Sequence, residues 1–256
     1  MLNIFGATDV GEHVNLKGKV IVITGASSGL GAGMASWFLD HGARLGLCAR
    51  RKPKLEGESV VSTSVDVRDL DALRLFAREV SGELGPVDLW INNAAVLDPL
   101  APQRALTSSD LMDHLEVNVG GVLNGTKAFI EQLEADGHRG ALVNITSGLA
   151  KRGRGGVSAY SAAKAGVDRL TEISAIEEGE LLTMALAVSP GVIETPMQQE
   201  LRRQDPDVLP DVEMFREMKE SGTMNSPSWV ASHIAEWVFG GEPPEQAIVR
   251  VPQEPA

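Results

Sequence analysis

Cysteine and histidine are scarce in this sequence. The single cysteine, Cys48, excludes an intrachain disulfide, and the apolar run around it predicts a buried structural thiol rather than a nucleophile. The five histidines show no spacing to one another, to Cys48 or to a carboxylate that is typical of a metal site. We therefore interpret them as surface or helix-end residues and expect no metal. A reducing cytoplasm is consistent with this use of cysteine.

Positive charge and long apolar runs are also limited. Asp and Glu number 35 against 23 Lys and Arg, and the net charge of −12 argues against a general binder of nucleic acid or of anionic membranes. No apolar run approaches the roughly 20 residues that cross a bilayer. Residues 1–11 lack the basic flank and the apolar core of a signal peptide. We therefore expect a cytoplasmic protein whose partner is a small molecule.

Apolar runs that suit strands alternate with segments of helical periodicity. This alternation predicts a parallel sheet with helices on both faces, an α/β doubly wound Rossmann fold of about seven strands. The long helix at 109–133 contains Gly120 and Gly121, which mark a candidate bend. Strands are predicted at 19–24, 45–48, 60–65, 87–91, 141–145, 182–188 and 248–251, and further helices at 34–41, 70–84 and 159–177.

No linker divides the chain, so we predict a single domain over residues 1–256. The polar, aperiodic residues 1–17 predict an N-terminal arm. One long insertion, residues 195–226, carries methionines and a phenylalanine among many charges. We interpret this insertion as a lid over a substrate site, and a plain pair of surface helices is the alternative.

A glycine-rich turn follows the first strand and opens a helix. Glycine tolerates positive φ and has no Cβ to block a phosphate, and a helix N-terminus offers amide donors and a partial positive charge. The context of strand, turn and helix therefore predicts a site for the pyrophosphate of a dinucleotide. The turn contains Gly25, Ser27, Ser28, Gly29 and Gly31.

Three cations, Arg50, Arg51 and Lys52, follow the second strand in an otherwise acidic chain. In dinucleotide folds a carboxylate at this position holds the ribose of NAD, whereas an arginine accepts the 2′-phosphate of NADP. A guanidinium suits a phosphate because it can donate two parallel hydrogen bonds. This pattern favours NADP(H) over NAD(H), and a solvated basic loop is the alternative.

Tyr160 and Lys164 combine a phenol with an ammonium, four residues apart on a predicted helix. This spacing places both groups on one helix face. Ser147 lies thirteen residues before Tyr160, just after a predicted strand. A hydroxyl, a phenol and an amine close together can run acid–base chemistry on a carbonyl or an alcohol.

Six short motifs occur in the order and spacing of a known family. They are Thr24–Gly31, Asp66–Val67, Asn92–Ala95, Asn118, the trio of Ser147, Tyr160 and Lys164, and Pro190–Thr195. Through these motifs the sequence resembles the short-chain dehydrogenase/reductase family over residues 16–251. Segments 175–178, 189–199, 214–216 and 221–227 make the second half similar to the sepiapterin reductases and benzil reductases of that family.

The resemblance implies hydride transfer between a nicotinamide and a carbonyl or alcohol carbon, in a homodimer or homotetramer. Tyr160 would donate the proton, and Lys164 with the nicotinamide charge would lower the pKa of the phenol. Ser147 would donate to the substrate oxygen, and Asn118 would hold a water that links Lys164 to solvent. Substrate contacts are predicted at Ser147, Leu149, Tyr160 and Met197. Cofactor contacts are predicted at Gly25, Ser27, Ser28, Gly29, Leu30, Gly31, Arg50, Arg51, Asp66, Val67, Asn92, Ala94, Tyr160, Lys164, Pro190, Gly191, Ile193 and Thr195.

The leading hypothesis is an NADPH-dependent reductase that converts a ketone or an α-dicarbonyl to an alcohol. One alternative is an alcohol dehydrogenase that works in the oxidative direction with the same residues. Another is a dinucleotide-sensing protein without turnover.

The sequence departs from the family pattern at two positions. Gly33 costs about 1 kcal/mol inside a helix, and Ser28 stands where many NADP-dependent members have a basic residue.

Overall fold

The computed structural model of the chain describes residues 14–241 and 243–255. Its strands are β1 (Val20–Thr24), β2 (Arg44–Ala49), β3 (Val60–Ser64), β4 (Leu89–Asn92), β5 (Gly140–Ile145), β6 (Leu182–Ser189) and β7 (Ile248–Arg250). They form one sheet in the order β3-β2-β1-β4-β5-β6-β7, and every neighbouring pair is parallel. This arrangement confirms the predicted doubly wound fold.

Helices cover both faces of the sheet. They are α1 (Gly29–Asp40), α2 (Leu70–Leu84), α3 (Ser108–Leu115), α4 (Gly121–Asp136), α5 (Ser158–Glu177), α6 (Pro196–Arg203), α7 (Val212–Glu220) and α8 (Pro227–Phe239). Helices α1 and α8 pack together over one apolar cluster, and α2 and α4 pack together over a second. The strand order reverses between β1 and β4, and in such sheets ligands bind at the carboxyl ends of the strands beside this point.

The predicted bend at Gly120 and Gly121 coincides with a π-helical turn. Helix α3 ends at Leu115, residues Glu116–Gly120 form the π-turn, and α4 begins at Gly121. A Cβ at Gly121 would lie 2.5 Å from Val67 Cγ2, so glycine allows α4 to approach the loop after β3. Turns of this kind interrupt the regular helical bonding and occur frequently at functional sites.

Gly33 is explained by helix packing. A Cβ at this position would lie 2.4 Å from Cβ of Pro227, the first residue of α8. The close approach of α1 and α8 therefore offsets the helix propensity that glycine sacrifices.

Cys48 lies in β2 and is fully buried. Burial raises the pKa of its thiol to about 12, as expected of an unreactive structural cysteine. Most of the predicted arm, residues 1–13, lies outside the described residues, whereas Leu16 packs in the apolar core. None of the helices in the described part of the chain has the length and apolar character needed to cross a bilayer.

Candidate active site

A cavity of about 1170 Å³ opens at the carboxyl ends of the strands. Its walls are the glycine turn, the loops after β2 to β6, the start of α5, and one side of α6 and α7. This volume exceeds the range of roughly 300–1,000 Å³ that suits one drug-sized ligand, so a dinucleotide and a second molecule can share it. Every predicted site residue lines this cavity except Asn92 and Asn118.

The glycine turn is fixed by a close approach to the loop after β4. Gly25 and Gly29 have φ angles of 69° and 57°, in the left-handed region that favours glycine. A Cβ at Gly25 would lie 2.7 Å from Ala94 Cα, and one at Gly31 would lie 2.5 Å from Asn93 Nδ2. The Asn93 amide donates to the Thr24 carbonyl oxygen at 2.9 Å, which joins the two loops.

Helix α1 begins at this turn without a side-chain cap. Ser28 makes no capping hydrogen bond, and the first turn of α1 contains no acidic residue. In contrast, Asp69 caps α2 and Thr107 caps α3. Uncapped amides and the positive end of the helix dipole favour an anion, so this helix start suits a pyrophosphate.

Arg50 and Arg51 lie beyond the glycine turn, in the loop after β2. Both are exposed, both line the cavity, and neither forms an ion pair with any carboxylate that the structure describes. The neighbouring Asp66 is already paired with Arg68, at 2.7 Å between Oδ2 and the terminal nitrogen. Hydrogen bonding from Arg68 lowers the pKa of the Asp66 carboxyl, which therefore stays ionised. The two arginines remain available to a phosphate.

Ser147, Tyr160 and Lys164 meet in the middle of the cavity. Ser147 follows β5, and its Oγ accepts a hydrogen bond from the Leu149 backbone N–H at 3.2 Å. Tyr160 is half-buried near the start of α5, and Lys164 lies one helical turn later with 2% of its surface exposed. Lys164 Nζ donates to the Ile145 carbonyl oxygen at 2.7 Å and lies 5.6 Å from the centroid of the Tyr160 ring.

Burial governs the ionisation of both groups. It raises the pKa of Tyr160 to about 12, and a hydrogen bond with Ser147 acts in the opposite direction. It lowers the pKa of Lys164 to about 8, opposed by the charge of Asp168. Among the protein's own groups, burial therefore outweighs any lowering of the phenol's pKa by Lys164. The predicted lowering, which also depends on the charge of the nicotinamide, stays a prediction. A phenol that keeps its proton at neutral pH suits a proton donor better than a base.

Asn92 does not reach the cavity. Its Oδ1 accepts from Trp90 Nε1, and its Nδ2 donates to Asn144 Oδ1, both at 2.9 Å in the buried interior. Successive side chains of a strand point to opposite faces, so it is Asn93 that faces the glycine turn. The predicted cofactor contact of Asn92 is thus replaced by a structural role. The doubled asparagine was a signal for Asn93, but the direction of each side chain depends on the register of β4.

Asn118 lies in the π-turn, is fully buried, and is also outside the cavity lining. Its Oδ1 accepts from the Val96 N–H and its Nδ2 donates to the Val96 carbonyl oxygen, both at 2.8 Å. The Nδ2 also lies 2.6 Å from His114 Nε2. Both N–H groups of its amide have protein partners, so the side chain has no donor left for a water, and the predicted role of Asn118 in holding one stays a prediction.

Two residues near the trio escaped the sequence analysis. His114, interpreted as a surface or helix-end residue, lies in the last turn of α3 but is buried. Asp168 lines the cavity, and its buried Oδ1 has no hydrogen-bond partner in residues 14–241 and 243–255. The position of Asp168, four residues after Lys164 on one helix, was an available signal. His114 had no such signal.

Helices α6 and α7 turn an apolar side toward the trio. Met197, Leu201, Met214 and Phe215 line the cavity and pack in an apolar cluster that also includes Tyr160. Glu194, just before α6, pairs with Arg202 on α6 and with Lys219 on α7, at 2.6 and 3.2 Å. Arg154, another cavity residue, pairs with Asp211 in the loop before α7.

Comparison with known proteins gives a consistent result. A sequence profile described as short chain dehydrogenase matches residues 19–206. The chain is 29% identical to a benzil reductase ((S)-benzoin forming) of Bacillus subtilis (strain 168), covering 84% of this chain and 91% of the relative. It is 30% identical to an L-fucose dehydrogenase of Oryctolagus cuniculus, covering 84% of this chain and 77% of the relative.

The fold also matches solved structures. The crystal structure of a levodione reductase superposes with a TM-score of 0.78 at 26% identity, covering 92% of this chain and 96% of that one. The likeness therefore extends beyond the segment that the sequence profile matches.

Proposed function

The chain belongs to the short-chain dehydrogenase family, and from this premise we propose that it is an NADPH-dependent reductase of a ketone or an α-dicarbonyl. Members of the family are oxidoreductases that bind a nicotinamide dinucleotide and act on small molecules. The observation that carries the finer proposal is the meeting of Ser147, Tyr160 and Lys164 in one cavity with the glycine turn and with Arg50. The trio supplies acid–base groups, and the rest supplies a place for the hydride donor.

The cavity fits the cofactor on structural grounds. The glycine turn lies at the uncapped start of α1. Gly25 and Gly29 place no Cβ between this turn and the facing residues Ala94 and Thr195. Arg50 and Arg51 would hold the 2′-phosphate, Asp66 and Val67 would meet the adenine, and residues 190–195 would meet the nicotinamide. When bound, the cofactor supplies the hydride that a carbonyl carbon receives.

The chain's own residues bind and protonate the carbonyl oxygen of the substrate. Ser147 Oγ–H donates a hydrogen bond to the carbonyl oxygen and fixes its position. Tyr160 transfers its phenolic proton to the same oxygen as negative charge develops there, which completes the alcohol. Lys164, beside the phenol, is the group that favours the phenolate left behind. The carbon thus gains a hydride, the oxygen gains a proton, and the nicotinamide is oxidised.

The apolar surroundings of Tyr160 support a substrate without charge. Leu149, Met197 and Met214 pack against the same apolar cluster as Tyr160, and methionine adapts to irregular shapes. One relative is a benzil reductase, and benzil is an α-dicarbonyl with two aryl groups. We propose that residues 195–226 form the lid of this pocket, within a single domain that includes the arm at 1–17.

We also propose a homodimer or homotetramer. Apolar side chains are exposed on neighbouring outer helices: Met112 on α3, Leu123 on α4, and Ile173 and Ile176 on α5. Ile176 is 82% exposed, which is more favourable in a contact with a second copy than in water. The cytoplasmic location stays a prediction.

The test follows oxidation of NADPH and of NADH against diketones, pterins, aldehydes and steroids. We expect turnover with an apolar diketone and a clear preference for NADPH. In Arg50→Ala, loss of a charge-assisted hydrogen bond of about 1.5–3 kcal/mol should weaken NADPH binding by about 10- to 150-fold and leave NADH binding unchanged. Lys52→Ala, which removes an equal charge from a residue outside the cavity lining, is the control. Equal rates with NADH would overturn the role of Arg50.

A dehydrogenase that works in the oxidative direction is the second candidate, favoured by the likeness to an L-fucose dehydrogenase. Oxidation needs the phenolate of Tyr160 as a base, and burial opposes its formation by raising the pKa to about 12. Rates with alcohols and NADP⁺ that exceed the rates of reduction at pH 7 would favour this candidate.

A further inference from the structure

We propose that His114 is a positioning residue, which holds the π-turn through Asn118 and supports the ring of Tyr160 during reduction. The proposal rests on the function proposed above. His114 has 1% of its surface exposed and makes no contact that we assign to substrate or cofactor. Its hydrogen-bond partners lie instead in the loop after β4 and in the π-turn.

The hydrogen bonds of His114 define its tautomer. Nδ1 lies 2.8 Å from the carbonyl oxygen of Asp98, which can only accept, so Nδ1 carries the proton. Nε2 lies 2.6 Å from Nδ2 of Asn118. The orientation of Asn118 is fixed independently, because its amide bonds both the N–H and the carbonyl oxygen of Val96. The nitrogen of Asn118 therefore donates to a lone pair on Nε2, and only the neutral imidazole fits.

His114 also contacts the reacting phenol. Its ring meets that of Tyr160 edge-on, with centroids 6.1 Å apart and planes at 73°, a favourable aromatic geometry. The ring thus links the loop after β4, the π-turn and the start of α5. A side chain that joins these three segments sets where the phenol lies relative to the cavity.

The charged and titratable groups around His114 are Lys164 and Tyr160 on α5 and Asp98 in the loop after β4. Burial and the charge of Lys164 lower the pKa of His114, whereas Asp98 acts to raise it. The folded protein therefore keeps His114 neutral below the usual histidine value of about 6.5. Further acid forces a proton onto Nε2, which then faces the N–H of Asn118 as a second donor. The π-turn must rearrange, and Tyr160 loses its support.

The pH range of this protonation distinguishes His114 from Lys164 and Tyr160. Lys164 and Tyr160, with pKa values of about 8 and 12, are already protonated at pH 7 and do not change further in acid. Below pH 6.5 the unfolded chain binds a proton that folded His114 excludes, so acid also lowers stability until the folded group is protonated. A loss of rate below pH 6.5 that is present in the wild type and absent when the imidazole is replaced then reports His114, because the cavity carboxyl of Asp168, whose pKa burial raises, titrates in both proteins.

The kinetic test compares His114→Leu and His114→Gln with the wild type, using NADPH and an apolar diketone. The leucine leaves the Asn118 N–H unpaired, and we expect kcat to fall by about 10- to 100-fold while KM and NADPH binding change little. The glutamine supplies an acceptor that does not titrate, so it should restore most of kcat and remove the acid limb of the pH profile. An unchanged kcat in the leucine variant, or an unchanged acid limb in the glutamine variant, would overturn the proposal.

His233 provides the matched control. It is buried in α8, its Nδ1 lies 2.8 Å from the Trp229 carbonyl oxygen, and burial lowers its pKa in the same way. It does not line the cavity. His233→Gln should therefore keep both kcat and the acid limb. A loss of rate equal to that of the His114 variants would show an effect of stability alone and contradict the proposal.

A spectroscopic measurement keeps the proposal testable if the wild type reduces no carbonyl. Tyr160 is the only tyrosine of the chain, so ring-¹³C-labelled tyrosine gives one set of NMR signals. We expect these signals to shift as the pH falls below 6.5 in the wild type and in His233→Gln, but not in His114→Gln. An inactive wild type that shows this shift would contradict the proposed function but support the role of His114. A wild type without the shift would sink the role of His114.

Discussion

The floor of the cavity and the segment above it are held together in different ways. We call the ends of β4 and β5, the π-turn and helix α5 the floor. In the floor, Asn92 donates to Asn144 and Asn144 donates to Thr171, each at 2.9 Å and each buried. Above it, residues 195–226 rest on the floor through a small apolar cluster, and the neighbouring Glu194 joins their two helices through ion pairs with Arg202 and Lys219.

This difference assigns separate roles to the floor and to residues 195–226. Buried polar groups are costly to leave unpaired, so the network of the floor permits one arrangement of the groups that do chemistry. Partly exposed ion pairs contribute only about 0–1 kcal/mol, and methionines adapt their shape. The segment above can therefore adjust to the molecule that it covers. Three substitutions would break or sharpen this contrast.

The largest effect is expected at the phenol of the floor. Tyr160→Phe removes the proton donor but keeps the ring that packs against His114, so kcat should fall by about 1,000-fold or more. NADPH binding, measured by fluorescence titration, should stay within about twofold of the wild type because the cofactor cradle is unchanged. A variant that retained a tenth of the activity would show that another group donates the proton.

A second large effect is expected within the buried network. Asn144→Leu removes the buried acceptor of Asn92 and the buried donor to Thr171, and leaves the Asn92 Nδ2 only longer contacts of 3.3 and 3.4 Å. We expect a loss of about 2–4 kcal/mol in the free energy of unfolding by urea. Gln199→Leu, an exposed change on α6, is the control and should stay within about 0.5 kcal/mol. Equal losses for the two variants would erase the contrast between floor and lid.

The smallest effect is expected in residues 195–226, above the floor. A substitution there should change the preference between substrates rather than the rate of the chemical step. Met214→Ala removes apolar contact from the pocket wall, so kcat/KM for a diaryl diketone should fall by about tenfold relative to a small diketone such as butanedione. NADPH binding and stability should change little. If both diketones lost rate equally, the segment would be acting on the chemistry and not on selection.

Sequence reasoning predicted best what is encoded locally. The β-branched runs and the glycine turn define strands and a tight loop wherever they occur, and Tyr160 and Lys164 share a helix face through their spacing alone. The bend at Gly120 and Gly121 was also visible, although its π-helical form was not. These features depend on neighbours within a few residues.

The rest depended on contacts between distant segments. The direction of Asn92 follows from the register of β4, and the burial of His114 follows from Asp98, sixteen residues away. The pKa of Tyr160 was expected to fall because the charge of Lys164 could be inferred from spacing. Burial, which raises that pKa, is a property of the assembled fold.

The most direct test of the central claim follows the hydride itself. The wild type is given NADPH that carries deuterium on one face of nicotinamide C4, in separate experiments for each face, together with an apolar diketone, and the alcohol is analysed by mass spectrometry and NMR. We predict that one face delivers a single deuterium to the carbinol carbon, and that Tyr160→Phe forms almost none of this product. NADPH that binds without being consumed, or an alcohol that contains no deuterium from either face, would contradict it.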